Sequence, residues 1–225
     1  NWTNPATWTT EGCWQTLNQG TYPKAFDNVV LCNEKQININ EAGLSCNNLS
    51  SADYLGSIIL NNNFRVYGNV SLSNQSYIAV GSYNLIIDGN FTNTSNGYNA
   101  RIDYSSGNVS IGGNITVDKN GLEPFNCTGD GWVILTGESK TVSTNSNIII
   151  PNLEQPVNGL TKSGSGVFTI SDIFDQNMGP DAPTGVIISI PSNTLGVPVK
   201  QFRSQNSGDW NNTSTWQLSY NGGLN

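Results

Sequence analysis

The chain contains no histidine, a single methionine, and only nine basic residues against sixteen acidic ones in 225. Each shortage excludes something. Without histidine there is no Ser-His triad, no imidazole base and no zinc set of the Cys/His kind. A net charge of −7 leaves no basic footprint, so no nucleic-acid partner is expected. Long hydrophobic runs are also missing. "NIIIP" (147–151) and "GVIISIP" (185–191) are the longest aliphatic stretches, far too short to span a bilayer. No ten-residue segment carries a 3.6-residue apolar period, which argues against helices.

What the chain does have is asparagine (34), serine (24), glycine (24) and threonine (19), with only 11% charged residues. Asn and Gly form poor helices and good turns, and the aliphatics lean towards Ile, Val and Leu. That balance predicts an all-β chain of many short strands joined by tight polar turns. A chain of this length can hide roughly 70% of its unfolded surface, enough for a real core. Low charge density with an acidic balance suggests an extracellular or cell-surface protein. Residue 1 is Asn, which reads as a processed chain or a fragment.

Four cysteines, Cys13, Cys32, Cys46 and Cys127, allow three pairings. None forms a CxxC pair, so disulfides in an oxidising compartment are expected. Cys32–Cys46 closes the shorter loop and is preferred, leaving Cys13–Cys127; buried free thiols are the alternative.

The middle of the chain repeats loosely: "VYGNVSL" (66–72), "IDGNFTN" (87–93), "SGNVSIG" (106–112) and "GGNITVD" (112–118). Gly-Asn pairs at 68, 89 and 113 are 21 and 24 residues apart, with short apolar runs between them. A coil of that length, with strands meeting at Gly/Asn corners, is the signature of a β-solenoid. Gly and Asn tolerate a left-handed backbone, which each corner is expected to need. Residues 29–178 form the expected solenoid. Prolines at 180, 183, 191 and 198 then mark 179–201 as a connector or edge strand.

The two ends of the chain match. Trp2-x5-Trp8 reappears as Trp210-x5-Trp216, 208 residues later. Residues 1–28 therefore read as a Trp-rich cap or junction, and 202–225 as the start of a second module or an inter-subunit junction. The run "SGDW…TSTW" (207–216), with "YPKAFDNVVL" (22–31), "LSCNNLSS" (44–51) and "GWVILTGESKTV" (131–142) in that order, resembles a module of large secreted cell-surface proteins and adhesins of the Bacteroidota type. The resemblance covers roughly residues 1–175 and 202–216. It implies tandem right-handed parallel β-helices in long surface chains. The inserted "TTEGCWQTLNQGT" (9–21) departs from that pattern.

Eleven Asn-x-Ser/Thr sequons are candidate N-glycosylation sites: Asn1, Asn48, Asn69, Asn74, Asn90, Asn93, Asn108, Asn114, Asn126, Asn211 and Asn212. Turn-then-strand chemistry alone also produces Gly-Asn-aliphatic-Thr/Ser. Trp2, Trp8, Trp210 and Trp216 are expected to cap or pack at junctions, with sugar stacking as the alternative. Asp103, Asp118, Asp172 and Asp175 show no spacing that would pair two carboxylates across coils, so no catalytic site is expected. No calcium loop, metal set or cofactor motif is present. Thr-x-Thr steps at the coil period, which an ice-binding face would need, are also missing. The expected function is structural: a filament subunit or adhesin repeat that joins copies of itself, or adjacent modules of the same chain, head to tail. The alternatives are a carbohydrate-binding module with a glycan partner and, less well founded, a polysaccharide-degrading β-helix.

Overall fold

In this computed structural model the residues described with side chains are 1–4, 22–31, 35–51, 56–94, 100–118, 123–154 and 160–171; further strands up to residue 220 are described by their backbone. Among these residues every regular element is a strand. The first coil runs through β1 (Val29–Leu31), β2 (Gln36–Ile39) and β3 (Ser45–Cys46), the second through β4 (Leu49–Ser51), β5 (Ser57–Leu60) and β6 (Phe64–Val66). The third takes β7 (Val70–Leu72), β8 (Tyr77–Gly81) and β9 (Leu85–Ile87), the fourth β10 (Phe91–Asn93), β11 (Arg101–Tyr104) and β12 (Val109–Ile111). The fifth takes β13 (Ile115–Val117), β14 (Phe125–Cys127) and β15 (Val133–Leu135), the sixth β16 (Lys140–Thr144), β17 (Ile148–Ile150) and β18 (Leu153–Glu154). Then come β19 (Leu160–Ser163), β20 (Phe168–Ile170), β21 (Phe174–Asp175) and β22 (Val186–Ile188).

Every third strand stacks in parallel on the one before. Face A is the seven-stranded sheet β1-β4-β7-β10-β13-β16-β19, and face C the seven-stranded sheet from β3 to β21. Face B holds five strands, β2 to β14. After it, β17, β20 and β22 form a three-stranded parallel sheet at the same place in chain order. The fold is a parallel β-solenoid, as the repeat spacing predicts. Its 21- and 24-residue steps appear directly in the register, Val70 opposite Phe91 and Phe91 opposite Ile115.

Most strands are three residues long and alternate in-out-in, since successive side chains of a strand point to opposite sides. Inward residues therefore line up in columns. Val29, Leu49, Val70, Phe91, Ile115 and Val142 form one on face A, all buried. Ile37, Ile58, Ile78, Ile102 and Phe125 form another on face B. Burying each such side chain contributes roughly 1.5–3 kcal/mol. A single coil could not do this alone, because its inward face is covered only by the coils on either side.

Two expectations need correction. The first concerns the corners: none of Gly68, Gly89, Gly107 or Gly113 has a positive φ, so the Gly-Asn pairs are not left-handed turns. Their reason is close approach, described below. The second concerns the cysteines. Cys46 and Cys127 are free thiols, so neither the Cys32–Cys46 nor the Cys13–Cys127 bridge is formed; Cys13 and Cys32 themselves lie outside the described residues. Cys46 points inward, in a face C column with Val66, Ile87, Ile111 and Leu135, where it serves as a small hydrophobe. Burial, with a smaller push from Asp27, raises its thiol to about 12. Half-buried Cys127 directs its thiol at the carbonyl of Gly129, 3.2 Å away.

Residues Asn1–Ile190 form one compact unit and Pro191–Asn225 a second. In the second, β23 (Lys200–Ser204) and β24 (Trp216–Tyr220) pair antiparallel, with Ser204 opposite Trp216.

Candidate functional site at the coil corners

Each strand of face A from β4 to β13 is entered through an asparagine, and these asparagines stack. The Asn48 Oδ1 accepts the backbone N–H of Asn69 at 2.7 Å, the Asn69 Oδ1 that of Asn90 at 2.8 Å, and the Asn90 Oδ1 that of Asn114 at 2.7 Å. The Asn114 Oδ1 then accepts the N–H of Thr141 at 2.9 Å. Each bond spans one full coil. At the same corner the backbone N–H of Val70 donates to the Asn90 carbonyl and that of Phe91 to the Asn114 carbonyl, so main chain and side chain tie the same two coils.

The glycines before Asn69, Asn90 and Asn114 make this ladder fit. A Cβ on Gly89 would lie within 3 Å of the Gly68 carbonyl and the Asn69 Oδ1, and one on Gly113 would meet the Asn90 Oδ1 and the Gly89 carbonyl. A side chain there would have to push the coils apart.

A second ladder runs up the corner that leads into face C. The Asn63 Oδ1 accepts from the Asn84 N–H at 2.9 Å, the Asn84 Oδ1 from Asn108 at 3.0 Å, and the Asn108 Oδ1 from Trp132 at 3.0 Å. Asn63 and Asn84 were not singled out in the sequence. The signal was available: 63, 84 and 108 repeat the 21- and 24-residue steps of 69, 90 and 114, each just before an inward aliphatic or aromatic residue.

The sequons divide by geometry. Asn48, Asn69, Asn90 and Asn114 share one column, with Ser50, Ser71, Thr92 and Thr116 in the next column on the outside of face A. This hydroxyl column extends to Ser143 and was also not singled out in the sequence. Asn93 points into the core, fully buried, with its Nδ2 donating to the Ala100 carbonyl at 2.7 Å. The Asn126 Nδ2 donates to Asp103 at 2.7 Å. Asn108 belongs to the face C corner, and Asn74 sits in a left-handed turn (φ 55). Asn1 is exposed at the chain start; Asn211 and Asn212 lie outside the described residues.

Of the tryptophans, Trp2 is fully buried at the N-terminal end of the solenoid. Its N–H donates to the Asn38 carbonyl of β2, the end strand of face B, at 2.9 Å, and its indole N–H to the Pro23 carbonyl at 3.2 Å. Its ring meets Phe64 edge-on, with centroids 4.9 Å apart. Trp8 and Trp210 lie outside the described residues, and Trp216 is described only as the first residue of β24.

On the outside of face C, Arg65 pairs with Asp88 through two hydrogen bonds of 2.8 and 3.0 Å and lies 4.8 Å above the Tyr67 ring. The hydrogen bond and charge of Asp88 hold the guanidinium still more firmly protonated. Tyr67 and Tyr83 are exposed, and Trp132 is half-buried. Asp103 on face B accepts from Arg101 at 2.7 Å as well as from Asn126. Asp118 is exposed just past β13; Asp172 lies outside the described residues, and Asp175 is described by its backbone alone. Among the described residues no group of three His, Cys, Asp or Glu could hold a metal ion, and no helix is long and apolar enough to cross a membrane. Comparison with protein-family models, curated proteins and solved structures finds no match for the chain.

Proposed function

We propose that this chain is a structural module of an extracellular filament or surface adhesin: a stiff solenoid joined end to end with copies of itself or with neighbouring modules of one longer chain. The observation that carries this reading is the coupling between coils. The second to fifth coils are bonded one to the next along their sheet faces and, through asparagine side chains, at two corners as well. Shear between coils would break side-chain and main-chain bonds together, which suits a load-bearing spacer. The resemblance to tandem secreted surface modules supports the same reading through the shared order of motifs.

At the N-terminal end, Trp2 already occupies the edge of β2 at Asn38. There the junction works through an aromatic cap, in place of a bare strand edge that would invite uncontrolled pairing. A head-to-tail contact of this heterologous kind builds an open filament.

Electron microscopy of the material shed from cells tests the proposal. Regular fibres, or rods linked in series, are expected. A protein that stays monomeric at every concentration and is found inside cells contradicts it.

A second reading has its own observation. Tyr67, exposed just past β6, lies 4.8 Å from the Arg65 guanidinium, and exposed Tyr83 and half-buried Trp132 sit at the corner that leads into face C; ring faces there could stack on sugars. Glycan-array binding with a change in Trp fluorescence would support it.

A further inference from the structure

We propose that the column Asn69, Asn90 and Asn114, at the entrance to face A, is an N-glycosylation site, and that Asn93 and Asn126, which carry the same sequon, are not. The inference rests on the extracellular reading above and deepens it by naming a modification.

The distinction comes from which amide atom is in use. N-glycosylation joins sugar to Nδ2 and leaves Oδ1 untouched. At Asn69, Asn90 and Asn114 the Oδ1 is committed to the next coil, the residue is exposed, and the Nδ2 donates to no group among the described residues. At Asn93 and Asn126 it is the Nδ2 that is committed, to the Ala100 carbonyl and the Asp103 carboxylate. Asn48 is set apart in the same way, because its Nδ2 donates to Asn28 at 2.7 Å. A sugar on Asn90 therefore costs the ladder nothing, whereas one on Asn93 would have to leave a fully buried site.

Strand alternation supplies the second half of the motif. Asn69 and Ser71, Asn90 and Thr92, and Asn114 and Thr116 are each two residues apart, so amide and hydroxyl both face outward while Val70, Phe91 and Ile115 fill the core. The co-reactant is a lipid-pyrophosphate-linked oligosaccharide. The amide nitrogen bonds to the anomeric carbon, the bond from that carbon to pyrophosphate breaks, and the amide proton passes to a base; nothing is oxidised or reduced. Sugar chains along this corner would flank the flat hydroxyl column of face A and hinder rods from joining side by side. The ends would stay open for contact.

Glycopeptide sequencing by mass spectrometry, on protein purified from its own surface material, tests the assignment. Sugar is expected on one or more of Asn69, Asn90 and Asn114, with Asn93 and Asn126 bare. Ser71→Ala, Thr92→Val and Thr116→Val should each remove the sugar from the asparagine two residues earlier. Their enzymatically deglycosylated forms should unfold with the wild-type protein, since the ladder bonds are intact. A bare column on a surface-located protein overturns the glycosylation and leaves the structural reading standing. Sugar at Asn93 or Asn126 overturns the geometric rule. A protein confined to the cell interior removes the ground for both proposals.

Discussion

The two asparagine corners begin alike and end differently. Both use the same bond, an Oδ1 accepting the N–H one coil on, and both keep the same 21- and 24-residue steps. At face A the column passes from Asn114 to Thr141, whose hydroxyl lies 2.9 Å from that of Thr161, so a polar contact between coils continues. At face C it passes from Asn108 to Trp132, which has no acceptor to offer. The next asparagine along, Asn152, takes a left-handed backbone (φ 44) and turns inward. Its Nδ2 reaches the Gly131 carbonyl at 3.0 Å, while its buried Oδ1 has no partner. A ladder of this kind survives exchange of Asn for another short polar residue. It does not survive an indole.

The largest expected effect comes from forcing a corner apart. Gly107→Ala would drive a Cβ into the Tyr83 main chain and should cost about 3 kcal/mol. Gly43→Ala, where φ is +76 but nothing lies within 4 Å, should cost only about 1 kcal/mol. Denaturant unfolding of both variants checks the contrast.

Removing a rung comes next. Asn90→Ala and Asn108→Ala each leave one backbone N–H without its acceptor and should cost about 1.5 kcal/mol apiece. Asn90→Asp keeps the acceptor and should recover most of that loss. Equal losses from the alanine variants would show that the two corners are equivalent below their upper ends.

At the broken end of the face C corner the sign reverses. Asn152→Gly relieves the left-handed backbone and removes the orphan acceptor, at the loss of one hydrogen bond. A gain of about 0.5 kcal/mol is expected; a clear loss would mean that the Nδ2 bond matters more than the strain.

Near neutral pH the smallest effect concerns Cys46, two residues before the first rung at Asn48. Its thiol is raised from 9.0 to about 12 in the folded chain. The unfolded thiol therefore ionises first. The stability this contributes is complete below pH 9 and is lost progressively as pH rises towards 12. Cys46→Val should flatten that alkaline decline relative to wild type, and a native thiol-labelling experiment should find Cys46 unreactive until the chain unfolds.

The solenoid was legible because its two signals are local. "VYGNVSL" and "GGNITVD" run into β7 and β13, and the Gly-Asn spacing reports the coil length. The corner chemistry was less legible because it depends on a partner one coil away. Gly68, Gly89 and Gly113 look like left-handed turn residues until the coil below is seen to occupy the space a Cβ would need. Asn63 and Asn84 carry no glycine before them, so only the repeated step could expose them. Cys46 misled for a related reason: its spacing from Cys32 suggested a loop closure, whereas strand alternation had already placed it in the core.

Amide hydrogen exchange, read residue by residue, tests the corner ladders most directly. Asn69, Asn90 and Asn114 have exposed side chains, yet their backbone amides should exchange as slowly as those of the strands they introduce. Exchange at the rate of an open surface turn would contradict it.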